Sequence, residues 1–98
     1  MKIILDDKRS FPDGNYNCVR TYEECVELLR LFRKARFLSL DYDLGSDHTG
    51  YDVLVYMKEN GIAAGQINIH SDHSEGVPKM RQYAQEHFPD AFLTFNSL

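Results

Sequence analysis

The sequence predicts an α/β domain in which short buried strands alternate with amphipathic helices around a mostly parallel sheet. Apolar runs at residues 2–5 and 37–41 reach acidic residues where the chain would leave the sheet. Two helix starts carry capping-box spacing, at Thr21 with Glu24 and at Thr49 with Asp52. This alternation predicts right-handed crossovers, with helices on both faces of the sheet.

Five strands and three helices follow from the pattern. The strands are expected at residues 2–5, 17–20 and 37–41, then through Ile67 and Ile69 to Ser71, and at 92–95. The helices are expected at residues 22–34, from 49 to a glycine stop at 60–61, and at 78–88 before Pro89. Residues 8–15 contain Pro, Gly, Asp and Asn, which is typical of a loop.

Bulk composition excludes several classes of protein. A chain of 98 residues fits a single domain, here residues 1–98, and no apolar run could span a bilayer. The N-terminus turns acidic too early for a secretory signal, and Cys18 and Cys25 lack metal-site spacing, so we expect a cytoplasmic protein without disulfides. A net charge of -4 argues against a nucleic-acid backbone as the main partner, and duplex DNA is not expected as a partner.

Acidic residues follow two strands that are expected to be neighbours. In a parallel sheet the carboxyl ends of the strands meet at one edge, where ligands bind. That edge would collect Asp6, Asp7, Asp41, His70, Ser71 and Asn96. Because gathered carboxylates repel one another, a hard cation such as Mg²⁺ or Mn²⁺ would stabilise them. The alternative is that each aspartate only caps a loop.

The segments Ile4-Leu5-Asp6-Asp7 and Leu40-Asp41, with the later Gly50, resemble the receiver domains of two-component signalling. The resemblance implies a flavodoxin-like three-layer fold with strand order 2-1-3-4-5, reduced or absent first and last helices, and Asp41 at the phosphoacceptor position. Receivers also place a lysine after strand five, where this chain has Phe95-Asn96-Ser97. Stable phosphorylation of Asp41 is therefore not expected.

Four ordered blocks resemble a receiver-like family named for cyclic-phosphate processing. They are Leu5-Asp6-Asp7-Lys8-Arg9, Asp41-Tyr42-Asp43-Leu44-Gly45, Thr49-Gly50-Tyr51-Asp52-Val53 and Ile69-His70-Ser71. Tyr42 stands where the family has histidine, and Ser71-Asp72-His73-Ser74 replaces its Ser-x-Asn-Pro. The resemblance implies a metal site at Asp6, Asp7 and Asp41, and Asp43 is added because it lies beside Asp41.

Histidine and arginine complete the expected site. His70, at a strand end beside the acids, is a candidate general acid, although a structural hydrogen-bonding role is equally compatible with its position. His48 is a second catalytic candidate, while His73 could bind substrate or act as the partner base. Arg9 offers forked donors to a phosphate, and Ser71 matches the receiver hydroxyl that contacts one.

The combined expectation is metal-dependent hydrolysis of a cyclic phosphate on a nucleotide or an RNA end. Its partner would be a small phosphorylated ligand or such an RNA end, with no membrane involved. The alternative is a degenerate receiver that acts as a protein-interaction or signalling module.

Overall fold

A computed structural model describes residues 1–9 and 14–98. Its elements, in chain order, are β1 (Lys2–Leu5), β2 (Asn17–Val19), α1 (Tyr22–Phe32), β3 (Lys34–Leu40), α2 (Gly50–Glu59), β4 (Ala63–Ile69), α3 (Gly76–His87) and β5 (Phe92–Thr94). All four strand pairings are parallel, and the five-stranded sheet has the order β2-β1-β3-β4-β5. The predicted fold class and strand order are confirmed.

Several boundaries differ from the prediction by a few residues. Helix α1 ends at Phe32 because Arg33 takes a left-handed conformation, with φ of 64°, and its N–H bonds to the carbonyl of Leu29. Lys34 then begins β3, three residues earlier than the apolar run indicated. Strand β4 also starts early, and α3 begins before Pro78. Part of the predicted loop, residues 10–13, lies outside the described residues.

The expectation of helices on both faces was wrong. Helix α2 packs against both α1 and α3, and all three contribute to one core with alternate strand residues. The core strand residues include Ile3, Leu5, Leu38, Leu40, Ile67 and Ile69. The reason is handedness: all three helices connect strands in the same direction along the sheet, so right-handed crossovers place them on one face. In the described part of the chain, no helix is long and apolar enough to cross a membrane.

The second face of the sheet carries two rows of different character. Strand register aligns one row near the amino ends of the strands, Lys2, Phe37, Gln66 and Phe92. A second row, Ile4, Ser39, Asn68 and Thr94, lies closer to the carboxyl ends. The C-terminal segment binds this second row, because the Nδ2 of Asn68 donates to the carbonyl of Asn96 at 2.8 Å.

Gly50, at the start of α2, fixes the approach of this helix to the end of β3. A Cβ built on Gly50 would lie 2.1 Å from the carbonyl oxygen of Asp41. Only glycine allows this contact, because backbone on both sides leaves no flexible group to move aside. The start of α2 is thereby held against the backbone of a predicted site residue.

We predict that Gly50→Ala lowers the free energy of unfolding by about 1–3 kcal/mol, the usual cost of overpacking. Denaturant melts would measure this. Gly14→Ala is the matched control, because a Cβ at Gly14 meets no described atom within 4 Å. Equal stability of both variants would mean that the contact between Gly50 and Asp41 is not close in solution.

Candidate functional site

A cavity of about 410 Å³ opens at the carboxyl ends of β1, β3 and β4. It is lined by Asp7, Lys8, Arg9, Asp41, Asp43, His70, Ser71, Asp72, His73 and Ser97. The cavity is of ordinary size for a small-molecule site. Seven of the predicted site residues thus meet at one edge of the sheet, as the parallel arrangement requires.

Asp6 lies beneath this cavity as a buried, fully bonded carboxylate. Its Oδ1 accepts the backbone N–H groups of Lys8 and Arg9, both at 2.9 Å. Its Oδ2 is 2.9 Å from the Nε of Arg9 and 3.1 Å from the Nε2 of His70. Burial raises the pKa of Asp6, but the hydrogen bonds from Arg9 and Lys8 outweigh burial and hold the pKa below its ordinary value. Asp6 is therefore a charged residue whose hydrogen bonds hold the loop after β1 in place.

The His70 side chain is fully buried, and each of its ring nitrogens has a partner. Nε2 meets Asp6, and Nδ1 lies 2.7 Å from the hydroxyl of Ser39. Burial lowers the pKa of His70, although the negative charges of Asp41 and Asp6 oppose this shift. The neutral ring thus has one N–H to donate, and the surrounding hydrogen bonds decide which nitrogen carries it.

A chain of buried polar side chains fixes that choice. The backbone N–H of Asn96 can only donate, so the atom it meets at 3.0 Å is the amide oxygen of Asn68. The amide nitrogen of Asn68 therefore faces the hydroxyl of Ser39, at 3.0 Å. The charged carboxylate of Asp6 can only accept, so His70 donates Nε2–H to it. The unprotonated Nδ1 of His70 then accepts the hydroxyl hydrogen of Ser39, and the oxygen of Ser39 accepts from Asn68.

Four aspartates line the cavity, namely Asp7, Asp41, Asp43 and Asp72. The Oδ1 of Asp7 is buried and meets no hydrogen-bond partner among the described residues. Burial raises the pKa of Asp41, against the opposing effects of His70 and the Ser71 hydroxyl. The Oδ1 of Asp43 accepts the N–H of Gly45 at 2.9 Å. Asp7 and Asp41 are thus the under-stabilised acids of this site.

These oxygens fit a hard divalent cation. Asp6, Asp41 and His70 each bring a potential ligand atom within 4.8 Å of the others. Asp6, however, already accepts four hydrogen bonds, which fills the usual capacity of a carboxylate. The Asp7 oxygen that has no partner among the described residues and the poorly stabilised carboxylate of Asp41 have more capacity to accept a cation, since an unpaired buried acceptor is costly, although Asp7 and Asp43 lie outside the group of three.

His73 is placed differently from His70. Its Nδ1 accepts the backbone N–H of Gly76 at 2.9 Å, which leaves Nε2 as the protonated nitrogen of the neutral ring. The ring packs against Tyr42, with centroids 4.5 Å apart, and borders the cavity. Tyr42 lies so close to Gly76 that a Cβ there would be 2.2 Å from its ring. Tyr42 and Gly76 therefore position His73.

Arg9 connects the acidic edge to the C-terminal segment. Besides Asp6, its guanidinium reaches the carbonyl of His70 at 3.5 Å and the carbonyl of Leu98 at 3.4 Å. Three of its five N–H donors are used in this way, and its side chain is 44% exposed. The other two donors have no acceptor among the described residues and could bind a ligand oxygen.

His48 is not brought to the cavity. Its ring stacks on Tyr22 of α1 at 3.9 Å, and its Nδ1 lies 3.4 Å from the carboxylate of Asp52. Proton transfer needs hydrogen-bond reach of the reacting group, so this placement gives no support to the predicted catalytic role. The loop position after Asp41 suggested proximity, but His48 packs on the helix instead.

Sequence reasoning missed several residues of the site. Lys8, Asp72 and Ser97 line the cavity, and Ser39 and Asn68 support it from below. Lys8 and Asp72 lie within sequence segments that already contain predicted site residues, so their positions could have indicated that they belong to the site. Ser39 and Asn68 carried another: polar residues in the middle of apolar strands need buried partners.

A parallel sheet of order β2-β1-β3-β4-β5 with acids at the ends of β1 and β3 defines a receiver-like domain. The family model of the cyclic-phosphate processing receiver domain matches residues 1–86. The chain belongs to this family, as its sequence blocks indicated. Searches of curated proteins and of solved structures find no match.

We predict that the pKa of His70 lies below the ordinary histidine value of about 6.5, and that the neutral ring carries its proton on Nε2. At a pH between the pKa of His70 in the folded protein and its pKa in the unfolded chain, the unfolded chain binds more protons. The free energy of unfolding should therefore fall as the pH drops below about 6.5. Long-range ¹H–¹⁵N spectra report both the pKa and the tautomer. Titration at or above 6.5, or an Nδ1–H signal, would contradict the hydrogen-bond assignment.

Proposed function

We propose that this domain hydrolyses a cyclic phosphate on a nucleotide or an RNA end with the help of Mg²⁺ or Mn²⁺. The observation that carries the proposal is the buried Oδ1 of Asp7, which has no hydrogen-bond partner among the described residues and lies in a cavity that also contains Asp41, Arg9 and His73. Membership of the cyclic-phosphate processing family supports the same chemistry.

Asp7 and Asp41 would hold the cation, with Asp43 on the adjoining wall of the cavity. A bound divalent ion would polarise a phosphoryl oxygen and lower the pKa of a water molecule. Asp6 acts indirectly in this arrangement. By binding the backbone of Lys8 and Arg9, it holds the loop that follows β1 in one conformation and so orients Asp7.

The substrate anion would bind between the acids and the two basic residues of the loop. Lys8 and Arg9 both border the cavity, and Arg9 retains N–H donors for a phosphoryl oxygen. Charged donors of this kind stabilise the negative charge that develops during phosphoester cleavage. Ser71 contributes a hydroxyl at the end of β4, next to Asp41.

The leaving oxygen of a cyclic phosphate needs a proton when the ring opens. We assign this role to His73 rather than to His70, because the His70 ring is fully buried and donates to Asp6. His73 keeps Nε2–H available at the cavity. His70 is then a positioning residue, which acts through Asp6.

Metal binding is expected to stabilise the folded protein. Mn²⁺ or Mg²⁺ at a hundredfold excess over its Kd would add about 2.7 kcal/mol to the free energy of unfolding. Thermal melts should show this as a Tm increase of roughly 10 °C or more for a domain of this size. Asp7→Asn and Asp41→Asn should remove the metal-dependent increase.

Asp47→Asn is the matched control for these melts, because Asp47 is an exposed acid of the same region that does not line the cavity. A wild-type Tm that is insensitive to metal, or an Asp7→Asn protein that responds like wild type, would remove the cation from the proposal.

The activity is tested with purified protein, Mn²⁺ and a panel of 2′,3′- and 3′,5′-cyclic nucleotides together with RNA ending in a 2′,3′-cyclic phosphate. His73→Ala should lower kcat about 10²- to 10⁴-fold, the usual contribution of a general acid, with metal binding retained. His87→Ala, on the outer part of α3, should turn over like wild type. Absence of turnover with every substrate would leave the receiver-like binding module in place of the enzyme.

A further inference from the structure

The amino-terminal end of the open sheet face carries a second concave surface, about 440 Å³ in volume. It is lined by Lys2, Tyr16, Arg36, Phe37, Gly65, Gln66 and Phe92. We name these residues the aromatic–basic patch. Among residues 1–9 and 14–98, no acidic residue lines it, whereas the cavity at the other end of the same strands contains four aspartates. The domain is therefore polarised along its strands, which the net charge of -4 conceals.

Three aromatic side chains, Tyr16, Phe37 and Phe92, line this patch. Tyr16 meets Phe37 edge to face at 5.7 Å, and the ammonium of Lys2 lies 5.3 Å from the Tyr16 ring. Phe92, on the edge strand β5, is 67% exposed, the largest exposure among the large apolar side chains of the described residues. A ring this exposed contributes little to the core, but it offers a platform for stacking.

The positively charged side chains of the patch also lack acidic partners among the described residues. Neither Lys2 nor Arg36 forms an ion pair with any residue in the described ranges 1–9 and 14–98, and Arg36 is exposed. Aromatic platforms beside Lys and Arg are the usual means of holding unpaired bases and their phosphates. Duplexes are excluded by this chemistry, since paired bases cannot present their faces.

We propose that the aromatic–basic patch binds a single-stranded RNA segment upstream of the cyclic-phosphate end that the cavity receives. This deepens the proposed function and rests on it for the identity of the end. Lys2 and Asp6 are four residues apart along β1 and its end, or about 13 Å at the rise of a strand. A strand with stacked bases spans this in about four nucleotides.

Binding is measured without turnover, so that the patch and the enzyme can fail separately. The probe is a fluorescent single-stranded RNA of about eight nucleotides with a 3′-hydroxyl end, followed by anisotropy in EDTA. We expect saturable binding with a Kd below about 10⁻⁴ M, and at least a fivefold loss in Phe92→Ala, as when one base stack is removed. Phe32→Ala is the matched control, since Phe32 is 55% exposed but lies on α1, outside the patch.

Salt dependence tests the charges. Two phosphate contacts predict a slope of about -1.4 for log K against log salt, and Arg36→Gln should reduce its magnitude by about 0.7. Lys34→Gln, an equal charge change on the same strand outside the patch, should leave the slope unchanged.

Three results would overturn the proposal. They are absence of saturable binding, equal loss in the Phe32 and Phe92 variants, and binding of AMP as tight as that of the RNA. Self-association in sedimentation that Phe92→Ala abolishes, without RNA binding, would assign the patch to a second copy of the chain instead. RNA binding without any cyclic-phosphate turnover would uphold the patch and reject the enzyme.

Discussion

The carboxylate of Asp6 is the interaction on which the rest of the site depends. It receives two backbone N–H groups from the loop after β1, the guanidinium of Arg9, and the ring of His70 at the end of β4. A buried charge is tolerated only when its acceptor sites are filled in this way. The same four bonds hold Arg9 beneath the C-terminal segment and fix the direction of the His70 ring. Loss of Asp6 would therefore release three segments of the chain together.

The support for this carboxylate extends across the sheet to β5. Thr94 donates to the oxygen of Asn68 at 2.6 Å, and Asn68 in turn donates to Ser39. Asn68 joins the members of this series, because its amide nitrogen also donates to the carbonyl of Asn96 at 2.8 Å and its oxygen also accepts the N–H of Asn96 at 3.0 Å. Buried networks of this type are stabilising only when they are complete. Strand β5 has only three residues, but it is needed because it contributes Thr94, at one end of that series of hydrogen bonds.

Most of the fold could be predicted because local residue types indicate where strands end and where helices begin. Thr21 does cap α1, accepting the N–H of Glu24 at 3.1 Å, and strand order followed from the family pattern. The acidic edge was predictable because parallel strands end together. The different surroundings of His70 and His73 could not be predicted, because they depend on which ring nitrogen meets Ser39, Asp6 or Gly76, and no local pattern records those contacts. The expectation of helices on both faces of the sheet was wrong because all three crossovers run in the same direction along the sheet, which places the helices on one face.

Under the proposed function, the two ends of the strands would contribute separately to substrate recognition. The acids at the carboxyl end would repel an RNA strand unless a cation neutralised them, so an oligonucleotide must gain affinity elsewhere. The open face can supply it because no helix in the described part of the chain covers Phe37 and Phe92. In the described part of the chain, that face therefore presents a surface at the opposite ends of the strands from the cavity, and under the proposal an RNA segment bound there would hold its end near the acids.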